Sequence, residues 1–98
     1  DPNVPVLATE LQGNYPNPFN PETTIRYSVK ETSPVTIEVY NLKGQLVRTL
    51  VNEVKTAGNY SVVWNGRDNH NQPVSSGVYF YKMNAGKYSS TKKMIMMK

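Results

Sequence analysis

Period-two alternation in short, separately punctuated stretches constrains this chain more than any other feature. In residues 24–30, Thr-Ile-Arg-Tyr-Ser-Val-Lys, the side chains of Ile25, Tyr27 and Val29 fall on one side of an extended backbone. Those of Thr24, Arg26, Ser28 and Lys30 fall on the other. Residues 35–40 repeat the pattern with Val35, Ile37 and Val39 inward, and residues 59–65 with Tyr60, Val62 and Trp64 inward. Successive strand side chains point to opposite faces, so each stretch reads as a half-buried β-strand. Residues 76–83 and 92–98 are apolar runs bounded by Gly, Ser and Lys. They read as a final pair of strands joined through Asn84-Ala85-Gly86-Lys87.

Seven prolines and six glycines are spread along the 98 residues and cut them into short segments. That punctuation suits an all-β domain and disfavours a helical bundle. Residues 11–21, Leu-Gln-Gly-Asn-Tyr-Pro-Asn-Pro-Phe-Asn-Pro, cannot form a helix or a central strand, because each proline lacks a ladder donor. The expectation is an edge segment that anchors Tyr15 and Phe19 in the core. Ser33-Pro34 breaks the chain between two strands. Asn41-Leu42-Lys43-Gly44 is a turn with Gly44 at positive φ. Residues 45–55 are ambiguous: Leu46, Val47, Leu50, Val51 and Val54 fall at helical spacing. The β-branched residues, the missing N-cap and the strands on both sides favour a strand with a bulge near Arg48 and Thr49. Trp64, the single tryptophan, belongs at the centre of the core. Residues 65–76 form the longest loop. The sum is about seven short strands, which predicts an immunoglobulin-like antiparallel β-sandwich over residues 11–98. Gly77-x-Tyr79-x-Tyr81 is similar to the tyrosine-corner strand of such folds. Residues 1–10, with spaced prolines and no periodicity, read as a linker from an upstream domain.

The absence of cysteine excludes a disulfide scaffold, thiolate metal sites and thiol catalysis. No apolar run reaches the roughly 18–20 residues of a transmembrane helix. Net charge is +4, and it is unevenly placed. From residue 82 onward there are five lysines and no acid. A basic end suits an anionic partner: nucleic acid, a membrane surface or an acidic receptor groove. Lysines also guard the edge strands of antiparallel sheets.

Signals for chemistry are weak. His70, the single histidine, sits in a polar loop with Asp68, and no strained nucleophile turn or oxyanion-hole signature accompanies it. Asp68-Asn69-His70-Asn71 offers oxygen ligands, but an EF-hand loop needs a glycine where Pro73 stands, and a distal glutamate. No cofactor motif is present. Seven tyrosines are many for this length, and exposed aromatics on a sandwich can stack on sugar rings. Only Tyr40 and Tyr88 fall at outward positions of the expected strands.

The block Tyr15-Pro16-Asn17-Pro18-Phe19-Asn20-Pro21, followed by Thr24-Ile25-Arg26-Tyr27, resembles the opening of the C-terminal sorting domains of bacterial type IX secretion cargo. Further motifs extend the resemblance from residue 11 to the end: the turn through Gly44, Trp64-Asn65-Gly66, and Gly77-Val78-Tyr79-Phe80-Tyr81. It closes on Lys92-Lys93-Met94-Ile95-Met96-Met97-Lys98. The middle motifs are also similar to the immunoglobulin-like domain of the flagellar hook-capping protein. The resemblance implies a non-catalytic secretion and sorting signal, linked covalently to a larger cargo and needing no cofactor, metal or nucleic acid. It implies export through the periplasm to the cell surface or medium. The implied partners are an outer-membrane translocon, reading residues 92–98, and a sorting peptidase, cutting before Leu11. The rival is a carbohydrate-binding or structural accessory module of an extracellular hydrolase. The Met-rich ending departs from the Val/Ile/Leu-rich endings of the family.

Overall fold

The computed structural model describes residues 8–98. Seven strands follow one another: β1 (Glu10–Tyr15), β2 (Thr23–Val29), β3 (Ser33–Asn41), β4 (Leu46–Lys55), β5 (Gly58–Trp64), β6 (Gly77–Ala85) and β7 (Tyr88–Met96). They form a three-stranded sheet, β1-β2-β5, and a four-stranded sheet, β4-β3-β6-β7. Every strand pairing is antiparallel. This is the immunoglobulin-like sandwich that the alternation implies. Among the described residues no helix is long and apolar enough to cross a membrane.

The core lies where the inward faces meet. Ile25, Tyr27 and Val29 of β2 face Val35, Ile37 and Val39 of β3 and Tyr79, Tyr81 and Met83 of β6, all buried. Trp64 is fully enclosed between Phe19, 5.7 Å away, and Tyr79, 5.2 Å away edge-on. Its indole N–H donates to the Arg67 carbonyl at 3.0 Å, so burial leaves no polar atom unpaired. The Tyr79 hydroxyl donates to the Ser75 carbonyl four residues upstream at 2.6 Å, which is the tyrosine-corner bond. At the β3–β4 turn the Asn41 side chain accepts from the N–H groups of Lys43 and Gln45. Gly44 there has φ +81°, a conformation costly for residues with a Cβ.

Residues 45–55 resolve as a strand, with two register shifts against β3. Ile37 faces Val51 and Glu38 faces Thr49; Val39 faces Arg48 and Tyr40 faces Leu46. The extra residues, Leu50 and Val47, bracket Arg48 and Thr49. Each bulge resets the phase of the alternation. Val47, Leu50 and Val51 all pack against the core although they are not spaced by two. The helical spacing in the sequence is this double bulge.

Three expectations need correction. Tyr15 is 82% exposed and anchors nothing in the core; only Phe19 of the pair is buried. Tyr88 does not face outward: the short Gly86-Lys87 hairpin turns it to the core edge, where its hydroxyl accepts the Leu11 N–H at 2.9 Å. Tyr40 keeps its outward position on β3, half-buried, with its hydroxyl donating to Glu38 at 3.0 Å. Pro34 is not a break but the second residue of β3, paired with Val54 just before β6 joins at Val35. The linker expected over residues 1–10 falls mostly outside the described residues. Its last part is tied to β2: Ser28 donates to the Ala8 carbonyl, and the Lys30 N–H donates to the Thr9 hydroxyl.

Candidate recognition surface at the C-terminal strand

β7 is an edge strand of the four-stranded sheet, paired with β6 along its whole length from Gly77–Met96 to Ala85–Tyr88. Its alternation places Met94 and Met96 in the core and Lys93 and Ile95 on the outer face. Lys92 faces the same way as its partner Tyr81, toward the inside, yet stays exposed because it sits at the sheet margin. An inward-pointing charge on an edge strand blocks pairing with another chain. Lys93, Met97 and Lys98 are exposed.

The Pro-rich block lies against the last residues of this strand. The Phe19 N–H donates to the Ile95 carbonyl at 3.0 Å, and the Met97 N–H donates to the Phe19 carbonyl at 2.9 Å. The Ile95 N–H donates to the Asn17 side-chain carbonyl at 3.0 Å. Phe19 thus forms a parallel bridge to Met96 on the edge that β6 leaves open. Prolines on either side cannot extend this pairing, so the bridge stays one residue long. Pro16, Asn17, Pro18, Asn20 and Pro21 are all exposed while Phe19 is 2% exposed; the block is a clamp with one buried tooth. Asn17 was not singled out as an edge acceptor by sequence reasoning, because no periodicity runs through the block to orient it.

Gly66 closes the same corner from the loop side. It has φ +75°, and a Cβ there would lie 2.8 Å from the Met96 methyl and 3.1 Å from the Pro21 carbonyl oxygen. The Trp64-Asn65-Gly66 step, the proline block and β7 therefore meet at one point. The other sequence-singled residues are distributed differently. Tyr79 and Tyr81 are buried in β6, Gly77 opens that strand, and Gly44 sits in the β3–β4 turn. The Tyr81 hydroxyl donates to Asn14 at 2.9 Å and ties the two sheets together; burial pushes its pKa up to about 12.

The long loop docks on the opposite edge. The Asn69 N–H donates to the Val47 carbonyl, and the Thr49 N–H donates to the Asn69 side-chain carbonyl, both at 3.0 Å. Arg48 donates to the Asp68 carbonyl. The Asp68 carboxylate accepts from the Gln72 and His70 N–H groups, and these bonds, the Gln72 one foremost, hold its pKa below the usual carboxylate range. Its oxygens serve the loop backbone. Among the described residues no group of three or more His, Cys, Asp or Glu side chains comes together.

The sequence profile of the FlgD Ig-like domain matches residues 19–89, more than two thirds of the chain. The chain belongs to the FlgD Ig-like domain family. Among solved structures this FlgD Ig-like domain is similar to a part of dimeric latent PorU from Porphyromonas gingivalis, with a TM-score of 0.70 and 21% identity. It is also similar to a part of PorZ, a surface component of the type IX secretion system of that organism, with a TM-score of 0.63 and 23% identity. These matches cover 86% and 93% of this chain but only 9% and 12% of PorU and PorZ. The chain is thus the size of one small module of those proteins. At such identities the likeness is one of fold. Comparison with curated proteins gives no match.

Proposed function

We propose that this FlgD Ig-like domain is a non-catalytic sorting domain of the type IX secretion pathway. In this reading it rides on a larger exported protein, and an outer-membrane translocon recognises it and directs the cargo to the cell surface or medium. The observation that carries the reading is the junction of Phe19 with Ile95 and Met97. The proline block that resembles those sorting domains and the basic–apolar ending that a translocon would read meet there in space. The clamp also bears on how recognition would work. Backbone groups of Ile95 and Met97 on the outer edge are already bonded, so a receptor cannot add a strand there. In this reading it draws on side chains that remain outside, among them Lys92, Lys93, Ile95, Met97 and Lys98. A sorting peptidase would cut in the linker before Leu11.

The test fuses the 98 residues to a periplasm-targeted reporter in a type IX-secreting host. The reporter should reach the surface or medium, and a fusion without the domain should not. Retention of both in the periplasm would sink the reading. One observation favours the carbohydrate alternative. Tyr15 stands exposed beside Gln12, Asn14 and Arg26 at an open depression of about 400 Å³ on the three-stranded sheet. Retardation in polysaccharide affinity gels, lost on Tyr15→Ala, would establish that alternative.

A further inference from the structure

The outer face of the four-stranded sheet carries an apolar patch that crosses all four strands at the end where the chain terminates. Strand register fixes its layout. Leu46 of β4 lies beside Tyr40 of β3, Tyr40 beside Phe80 of β6, and Phe80 beside Lys93 of β7. One row further, Val78 pairs with Ile95. Leu42, in the β3–β4 turn, lines an open depression of about 300 Å³ together with Val78, Ser75 and Ser76. The inward neighbours Val39, Tyr79, Tyr81 and Met94 are buried, so these outward residues are the opposite side of the same strands. Leu42 is 71% exposed, Leu46 49% and Met97 56%. Of the seven large apolar residues exposed among the described residues, register places Leu46 and Ile95 on this face, and Leu42 and Met97 follow the ends of β3 and β7. Scattered apolar residues are ordinary on a protein surface; a row of neighbours across a sheet is not.

The charges around the patch are mostly basic. Lys43 lies in the turn, Lys93 and Lys98 lie at the C-terminal margin, and Lys82 lies one row away. The acid on this part of the face is Glu38, which faces Lys82 across the strand pair and accepts the Tyr40 hydroxyl bond. An apolar centre with a charged rim is the anatomy of a protein–protein interface. With Glu38 opposite Lys82, the excess charge comes from Lys43, Lys93 and Lys98, and a net basic rim favours a partner whose rim is acidic.

We infer that this face is the docking surface for the translocon, whose receiving surface would be an apolar patch rimmed by carboxylates. The inference rests on the sorting reading and deepens it: recognition spans the folded sheet from β4 to β7 rather than the terminal residues alone. Leu42 and Leu46 lie about fifty residues from the terminus in sequence, and pairing through β3 and β6 brings them onto the face of β7. A linear tail signal would ignore them.

The experiment uses the reporter fusion with two double variants of this remote edge. Leu42→Glu with Leu46→Glu removes apolar area and adds the wrong charge. Leu42→Lys with Leu46→Lys removes apolar area and keeps the basic sign. Val54→Glu with Val63→Glu, exposed apolar residues away from the patch, is the control. Circular dichroism and thermal melting of the isolated domains confirm folding. Export of the glutamate variant should fall about tenfold or more and that of the lysine variant by less, with the control unchanged. Export of both patch variants at the parental level overturns the inference and leaves the sorting reading standing. A parent fusion that stays in the periplasm overturns both. A parent domain that sediments as a dimer, with patch variants that sediment as monomers, gives the face to a second copy and overturns the translocon as its occupant.

Discussion

Trp64 is the residue on which most packing converges. It touches the proline block through Phe19 and the tyrosine corner through Tyr79, and its N–H is bonded within the loop. Trp64→Ala should cost about 3–5 kcal/mol, the range for a buried aromatic. That is a large share of the roughly 5–15 kcal/mol a domain of this kind possesses. Urea unfolding should show a large fall in midpoint, and an unchanged midpoint would contradict the enclosed position. Tyr81 gives a prediction in pH. Burial raises its pKa to about 12, while an unfolded tyrosine ionises near about 10. The folded state therefore holds this proton more tightly. Its contribution is fully present below about pH 10 and is lost as pH rises through about 12. Burial shifts Tyr27 the same way. Tyr81→Phe should flatten the alkaline limb of stability without abolishing it. Melting curves between about pH 9 and about 12 measure this, and an unchanged limb would contradict it.

At the scale of elements, the unusual feature is that both edges of the four-stranded sheet are closed by pieces that are not strands. Asn69 covers β4 at its double bulge, and Asn17 with Phe19 covers the end of β7. Removing one backbone acceptor should loosen one amide. Asn17→Ala should speed hydrogen exchange at Ile95 by roughly two- to tenfold, the worth of one hydrogen bond, and affect Met97 less. Phe19→Ala should speed both. Equal exchange in parent and variants would mean that the clamp does not hold. The clean strands were legible because an unbroken period of two reports both strand and face, as in β2 and β3. β4 was harder because its bulges reset that period. Phe19 was legible as a buried aromatic, but Tyr15 in the same block was misplaced: between prolines no alternation orients a side chain. Tyr88 was misread because its facing depends on the length of the hairpin turn, which the sequence left at four residues and the fold makes two. The lysines and methionines of the ending were visible, whereas the patch was not. Leu42 and Leu46 join Phe80 and Ile95 only through the strand order β4-β3-β6-β7.

The molecule as a whole is a sandwich whose last strand, under the proposed sorting function, serves two roles. Met94 and Met96 fill the core, and Lys92, Lys93, Ile95, Met97 and Lys98 stay outside. The two roles separate under charge reversal. Exposed lysines contribute only about 0–1 kcal/mol each to stability, so replacing Lys92, Lys93 and Lys98 with glutamate should leave the domain folded. The same change reverses the field that an acidic receptor senses. Deleting residues 94–98 should damage both properties, because it removes two core side chains and the partner of the clamp. The most direct test therefore measures two quantities on the triple variant: the melting temperature of the domain and the fraction of fused reporter reaching the surface or medium. A near-parental melting temperature with strongly impaired export is the predicted result. Export equal to the parent from the folded triple variant would contradict it, and would leave the lysines as guards of a sheet edge.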